Sequence, residues 1–185
     1  IVTIDSSSNV YVAGNGWYTT NLAGLITAQQ VSIQTTNTAP NSVGASITGG
    51  INILAGTTYP SVADAVNITS TVGTDGAAAG IVISTGAITN NSNGGSVTLA
   101  TNGSISVPPT TGATAAINFA TTNTTGHAQT LTYDTRTGNL NSTISAGVFS
   151  SASGSPFVNL VEVSNGAPIS VAATTVSGFI KLDNT

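Results

Sequence analysis

Gly94–Val107 reads GGSVTLATNGSISV. Val97 and Leu99 alternate with Thr98 and Ala100, and after Asn102-Gly103 the alternation resumes with Ile105 and Val107 against Ser104 and Ser106. An apolar residue at every second position is the mark of a strand with one buried face. Asn-Gly is a turn dipeptide, because both residues tolerate left-handed backbone angles. The stretch therefore reads as strand, tight turn, strand. GIVISTGAITNN, from Gly80, has the same grammar and ends on an Asn-rich corner.

Outward from there the same unit, apolar–x–apolar followed by a small or polar residue, recurs along the chain. Toward the N-terminus it appears as VTID (Val2), VYVA (Val10), VSIQ (Val31), INIL (Ile51), VNIT (Val66) and IVIS (Ile81). Beyond VTLA (Val97) come INFA (Ile117), LTYD (Leu131), VNLVEV (Val158), ISVA (Ile169) and FIKLD (Phe179). Shorter units fill gaps at Ser46, Ala87 and Ser104. Turn clusters such as SSSN, NTAPN, NNSNGG and SGSP separate them. No window keeps helical apolar spacing, and the residues that favour exposed helix faces are almost missing. One short turn of helix is expected over Ser61–Val66, after Tyr59-Pro60.

From Val31 the unit starts are separated by 20, 15, 15, 16, 20 and 14 residues, overlapping the short end of solenoid periods. With these features, GGSVTLATNGSISV resembles the repeats of filamentous-haemagglutinin-type adhesins, exoproteins of two-partner secretion. That resemblance implies a right-handed parallel β-helix at a bacterial surface and a role in adhesion. It is good over 31–107 and weaker over 108–185, where the strands lengthen after Pro108-Pro109. The whole chain, 1–185, is read as a single all-β domain.

Stacked coils also account for the composition. Inward ladders of like residues favour Val, Ile, Leu and Ala, and stacked outward Ser and Thr are favourable where like charges would repel. At ~20–25 residues per coil the chain would supply roughly eight coils. An Ig-like or pilin-like β-sandwich is the alternative, since turns every 8–12 residues also fit that fold. INFATT and QTLTYD would then pair antiparallel around Thr124–Gly126. IVTID and FIKLD would join neighbouring subunits by strand addition, resembling donor-strand-assembled pilus or thread subunits.

Charge limits the partners. Only 4% of residues are charged, and Arg136 and Lys181 are the only basic ones. Two cations cannot neutralise a phosphate backbone, which argues against nucleic acid. No apolar run approaches the length of a membrane-spanning helix. With no cysteine there are no disulfides and no thiolate metal sites. A chain with few charges associates readily, a liability in cytoplasm and an asset in a fibre. The expected location is extracellular, at a cell surface. The expected partners are other copies, flanking repeats of a longer chain, and host or matrix glycans. The start at Ile1 predicts a processed product or an excerpt, with Ile1–Asp5 and Phe179–Asp183 meeting other copies or a continuing chain.

No catalytic, cofactor or metal site is expected. His127, the single histidine, lies in a turn beside Gly126 without a second histidine or a near carboxylate. Asp5, Asp64, Asp75, Asp134, Glu162 and Asp183 are too dispersed to form the facing carboxyl pair of a glycosidase. Asp134 and Arg136 read as an exposed ion pair, and GTDGAAAG (Gly73–Gly80) as a turn lacking the oxygens of a calcium site. Trp17-Tyr18 offers either a sugar platform or, the plainer reading, a cap on an open core. Asn-x-Ser/Thr sequons stand at Asn67, Asn90, Asn102, Asn123 and Asn141, and those on turns would be glycan acceptors in a host that modifies them. The Thr-x-Thr pattern of TLT and TRT does not recur at coil spacing, which argues against ice binding.

Overall fold

In a computed structural model the chain winds as a right-handed parallel β-helix of three sheets. The structure describes residues 4–5, 9–16, 20–37, 43–59, 63–73, 79–83, 87–107, 116–121, 123–147, 149–152, 158–171 and 176–185. Sheet A stacks β1 (Ile4–Asp5), β4 (Ile26–Ala28), β7 (Ile51–Ile53), β10 (Ile88–Asn90), β13 (Ile117–Phe119) and β16 (Phe149–Ser151). Sheet B stacks β2 (Asn9–Gly16), β5 (Gln30–Asn37), β8 (Asp64–Val72), β11 (Ser96–Thr101), β14 (Gln129–Asp134), β17 (Val158–Ser164) and β19 (Ile180–Asn184). Sheet C stacks β3 (Thr20–Leu22), β6 (Ala45–Ile47), β9 (Ala79–Ile83), β12 (Ser104–Ser106), β15 (Ile144–Ala146) and β18 (Ile169–Val171). Every pairing is parallel, and each strand pairs with the strand one coil away.

Register turns alternation into ladders. Ile26, Ile51, Ile88, Ile117 and Phe149 align down sheet A. Val31, Val66, Val97, Leu131, Leu160 and Ile180 align down sheet B. Ala45, Ile81, Ile105, Ile144 and Ile169 align down sheet C. The three columns converge on one core, in which most of these side chains are inaccessible. Each fully buried Val, Leu or Ile contributes about 1.5–3 kcal/mol. Isoleucine suits the site because its β-branch packs on the copy above. Phe119 and Phe149 meet edge to face, with ring centroids 5.3 Å apart and planes at 89°, the arrangement that the ring quadrupoles favour.

The corners are built from hydroxyls and amides. At the end of sheet B the inward column becomes polar: Thr35, Ser70 and Thr101 align in register, all buried. The Thr35 hydroxyl donates to Ser70 Oγ at 3.0 Å, and the Gly103 N–H donates to Thr101 Oγ1 at 3.0 Å. Side-chain oxygens thus satisfy backbone groups that leave the ladder where the chain bends. Gly80 sits against this column, and a Cβ there would lie 1.9 Å from Thr101 Oγ1.

Three expectations change. Among the described residues there are six three-strand coils and one further strand, rather than about eight coils. The corners hold more chain than a minimal solenoid turn, so register partners such as Val31 and Val66 lie 35 residues apart. Asp64–Val72 is strand, not helix, because Val66 and Ile68 complete two sheet B ladders; residues 60–62 of the expected Ser61–Val66 turn lie outside the described residues. The antiparallel sandwich gives way as well. INFATT and QTLTYD do not pair with each other, since β13 and β14 belong to different sheets and form consecutive sides of one coil.

Candidate functional site

The outward positions of sheet B form the broadest regular face. Ser32, Asn67, Thr98, Thr132, Val161 and Lys181 align in one column. Gln34, Thr69, Ala100, Asp134, Val163 and Asp183 align in the next. Hydroxyl and amide groups dominate the earlier coils, and charge gathers at the C-terminal coils. Hollows interrupt the face among the described residues. One, of about 330 Å³, lies among Thr69, Thr71, Ala100, Asn102 and Thr137. Another, of about 300 Å³, lies among Asp64, Ser96, Thr98, Thr130 and Thr132. Burial pushes the Asp64 carboxyl up, partly offset by the Thr98 hydroxyl that donates to Oδ1 at 3.0 Å.

Asp134 and Arg136 form the expected pair, with Arg136 Nη2 donating to Asp134 Oδ2 at 2.6 Å. Burial pushes the Asp134 carboxyl up, but the hydrogen bonds and charge of Arg136 outweigh it and hold it low. Lys181 Nζ and Asp183 Oδ2 form a second pair at 3.0 Å. Both are on the solvent side and contribute little to stability. Among the described residues no three histidine or acidic groups cluster closely enough to hold a metal. His127 is half-buried in the corner before β14, where its N–H donates to Thr125 Oγ1 at 3.2 Å. Its Nδ1 is buried without a hydrogen-bond partner. Asp75, Trp17 and Tyr18 lie outside the described residues.

The sequons divide by position: two are buried at corners, and one, Asn141, is exposed on a turn. Asn90 and Asn123 are buried and run the corners between sheets A and B with one shared device. Asn90 Oδ1 accepts from the Ser92 N–H at 3.0 Å and from Ser92 Oγ at 2.6 Å, while Nδ2 donates to the Gly95 carbonyl at 2.8 Å. Asn123 Oδ1 accepts from the Thr125 N–H at 3.1 Å and from Thr125 Oγ1 at 2.8 Å, and Nδ2 donates to the His127 carbonyl. The third sequon position is therefore a turn hydroxyl bound to its own asparagine. Asn102 bridges a coil: Oδ1 accepts from the Val72 N–H at 2.8 Å and Nδ2 donates to the Val72 carbonyl at 3.1 Å. Asn67 is half-buried on the outer face of sheet B, and Asn141 is exposed.

The C-terminal end is the second distinctive surface. Phe179, Ile180 and Leu182 are 54%, 47% and 54% exposed. β19 pairs with β17 along one edge and is the last strand of sheet B. Directly beneath it, Glu162 occupies an inward position, between Tyr133 and Leu182 in the ladder that begins Ile33, Ile68, Leu99. It is wholly inaccessible, neither carboxylate oxygen has a hydrogen-bond partner, and burial raises its pKa to about 7. In the sequence Glu162 is one of six dispersed acidic residues. VNLVEV gives no decisive signal: Glu162 has the same parity as Val158 and Leu160, but Val161 and Val163 hold the other face.

Comparison of the chain with protein-family models, with curated proteins and with solved structures finds no match. Function must therefore be argued from these surfaces.

Proposed function

We propose that this chain is a structural and adhesive segment of a secreted cell-surface protein or extracellular filament, and that it acts without catalysis. The observation that carries the reading is the run of in-register parallel ladders whose outermost strands in sheet B, among the described residues, are β2 and β19. Continuous backbone ladders resist bending along the stacking direction, which is the mechanical property of a rod. An edge strand presents unpaired backbone groups to any strand of matching direction. A second copy supplies one. All strands of sheet B run parallel, and Val10 and Val12 of β2 hold the same two register columns as Ile180 and Leu182 of β19. Head-to-tail addition would continue the sheet without a reversal. The hydroxyl- and amide-rich outer face then supplies contacts to neighbours or to neutral glycans, whose recognition rests on hydrogen bonding rather than charge.

Imaging of the purified chain as concentration rises tests this. The expected result is end-to-end rods with axial layering at ~4.8 Å throughout, lost when Leu182 is changed to Lys. A chain that stays monomeric at every concentration and binds no glycan on an array would overturn it.

A further inference from the structure

We propose that β19 is a proton-dependent cover: it docks on β17 while Glu162 is neutral and is released when Glu162 ionises. Glu162 is the one acidic residue on an inward ladder position of sheet B among the described residues, and its carboxylate has neither solvent nor a hydrogen-bond donor. A neutral carboxyl can occupy such a site, whereas an ionised one requires water or a counter-charge. The groups around it supply no counter-charge. From β14, Tyr133 shares its column, and the Tyr133 hydroxyl is pushed far up, first by burial and then by the negative charge of Glu162. Asp134 of β14 and Lys181 and Asp183 of β19 occupy outward positions, where Arg136 and Lys181 are held in ion pairs. β16 and β18, the other two sides of that coil, carry no titratable residue.

β19 is held lightly enough for one charge to matter. Four of its five residues are exposed, so it buries little apolar surface. Its attachment is mainly polar: a five-residue parallel ladder to β17, from Leu160–Ile180 to Ser164–Asn184, and Ser164 Oγ to Asn184 Oδ1 at 3.1 Å, with Gly178 and Phe179 just ahead of it bonded to Val158 and Leu160. Segments with few buried contacts open locally, at a fraction of the global unfolding free energy. Opening gives Glu162 access to water and bares the β17 edge. The stacking surface proposed above would thus be presented under mildly acidic conditions and withdrawn as pH rises.

Hydrogen exchange on the whole chain, kept dilute and monomeric, tests this separately from assembly. Protection factors, corrected for the intrinsic rate at each pH, are followed at β19 with β8 as internal reference. Between pH 5.5 and 8.5 protection at β19 is expected to fall on the order of tenfold or more, while β8 is unchanged. Glu162→Gln, a near-isosteric neutral side chain, is expected to remove the dependence, and Glu162→Leu to remove it and raise protection at every pH. Equal β19 protection at the two pH values in the parent chain overturns the proposal, as does a dependence that survives in both variants. Rods that fail to form while β19 still responds to pH would count against the stacking reading alone.

Discussion

Replacing Asn90 by Ala removes the centre of a buried corner, and its cost follows from the hydrogen bonds already described. Asn90 Oδ1 accepts from the Ser92 N–H and Ser92 Oγ, and Nδ2 donates to the Gly95 carbonyl. Ser92 is itself buried, so in the variant its N–H loses its acceptor with no water to replace it. The Gly95 carbonyl keeps a second donor, Gln129 Nε2 at 3.2 Å, and is not orphaned. One stranded backbone donor costs about 1–3 kcal/mol, and the lost carbonyl and hydroxyl bonds add about 1 kcal/mol. The expected total is about 3 kcal/mol. For a chain of this size that is a fall in Tm of roughly 6–12 °C. Ser92→Ala keeps the backbone bond and should cost only about 1 kcal/mol. Asn67→Ala is the control, because Asn67 faces outward and accepts only a 3.3 Å bond from Thr69; it should stay within about 0.5 kcal/mol. Urea unfolding followed by circular dichroism would order the three variants. If Asn90→Ala cost no more than Asn67→Ala, the corner reasoning would be wrong, and with it the claim that this sequon is structural.

The pH dependence of global stability has a definite sign. Glu162 has a folded-state pKa of about 7 against an ordinary 4.5, so the folded state binds the proton more tightly than the unfolded one. The Glu162 contribution should be fully present below pH 4.5, be lost as pH rises toward 7 and then level off, on the order of 1–3 kcal/mol; urea titrations of the parent and Glu162→Leu should diverge across that window. Gly80→Ala places a Cβ 1.9 Å from Thr101 Oγ1 and is expected to cost about 1–3 kcal/mol. In a double-mutant cycle with Thr101→Ala the two costs should add to less than their sum. Arg136→Ala breaks an exposed pair and should change stability by less than about 1 kcal/mol, with the difference disappearing in high salt.

Most strands were legible because a half-buried strand in a solenoid writes its period on the chain. VSIQ, VNIT, VTLA, LTYD and the other quoted units coincide with strands, save that Val2 and Thr3 of VTID lie outside the described residues. Those missed, such as Ile26–Ala28 and Ile144–Ala146, are three-residue sides with too few positions for alternation to register. The echo between GIVISTGAITNN and GGSVTLATNGSISV was real as local grammar but is not a coil repeat. The first crosses from sheet C to sheet A, while the second crosses from sheet B to sheet C. Similar strand–turn–strand segments occur at different corners, so self-similarity alone could not set the register. At Asn90 and Asn123 the Asn-x-Ser/Thr spacing is also the one at which an asparagine closes a turn with its own hydroxyl neighbour.

By itself the sequence determined an all-β chain of short alternating strands with polar corners and almost no charge, because side-chain period and turn chemistry are local. Only the tertiary structure decided which face of each strand is inward. VNLVEV carries apolar residues on both faces, and its parity is set by the pairing of Leu160 with Leu131. That pairing, formed across 29 residues of chain, puts the Glu162 carboxylate inside a ladder of isoleucine, leucine and tyrosine. The same long-range stacking holds Asn90 and Asn123 within buried corners and leaves β19 as an edge strand. Burial is a property of what lies one coil above and below, and no local pattern specifies that neighbour.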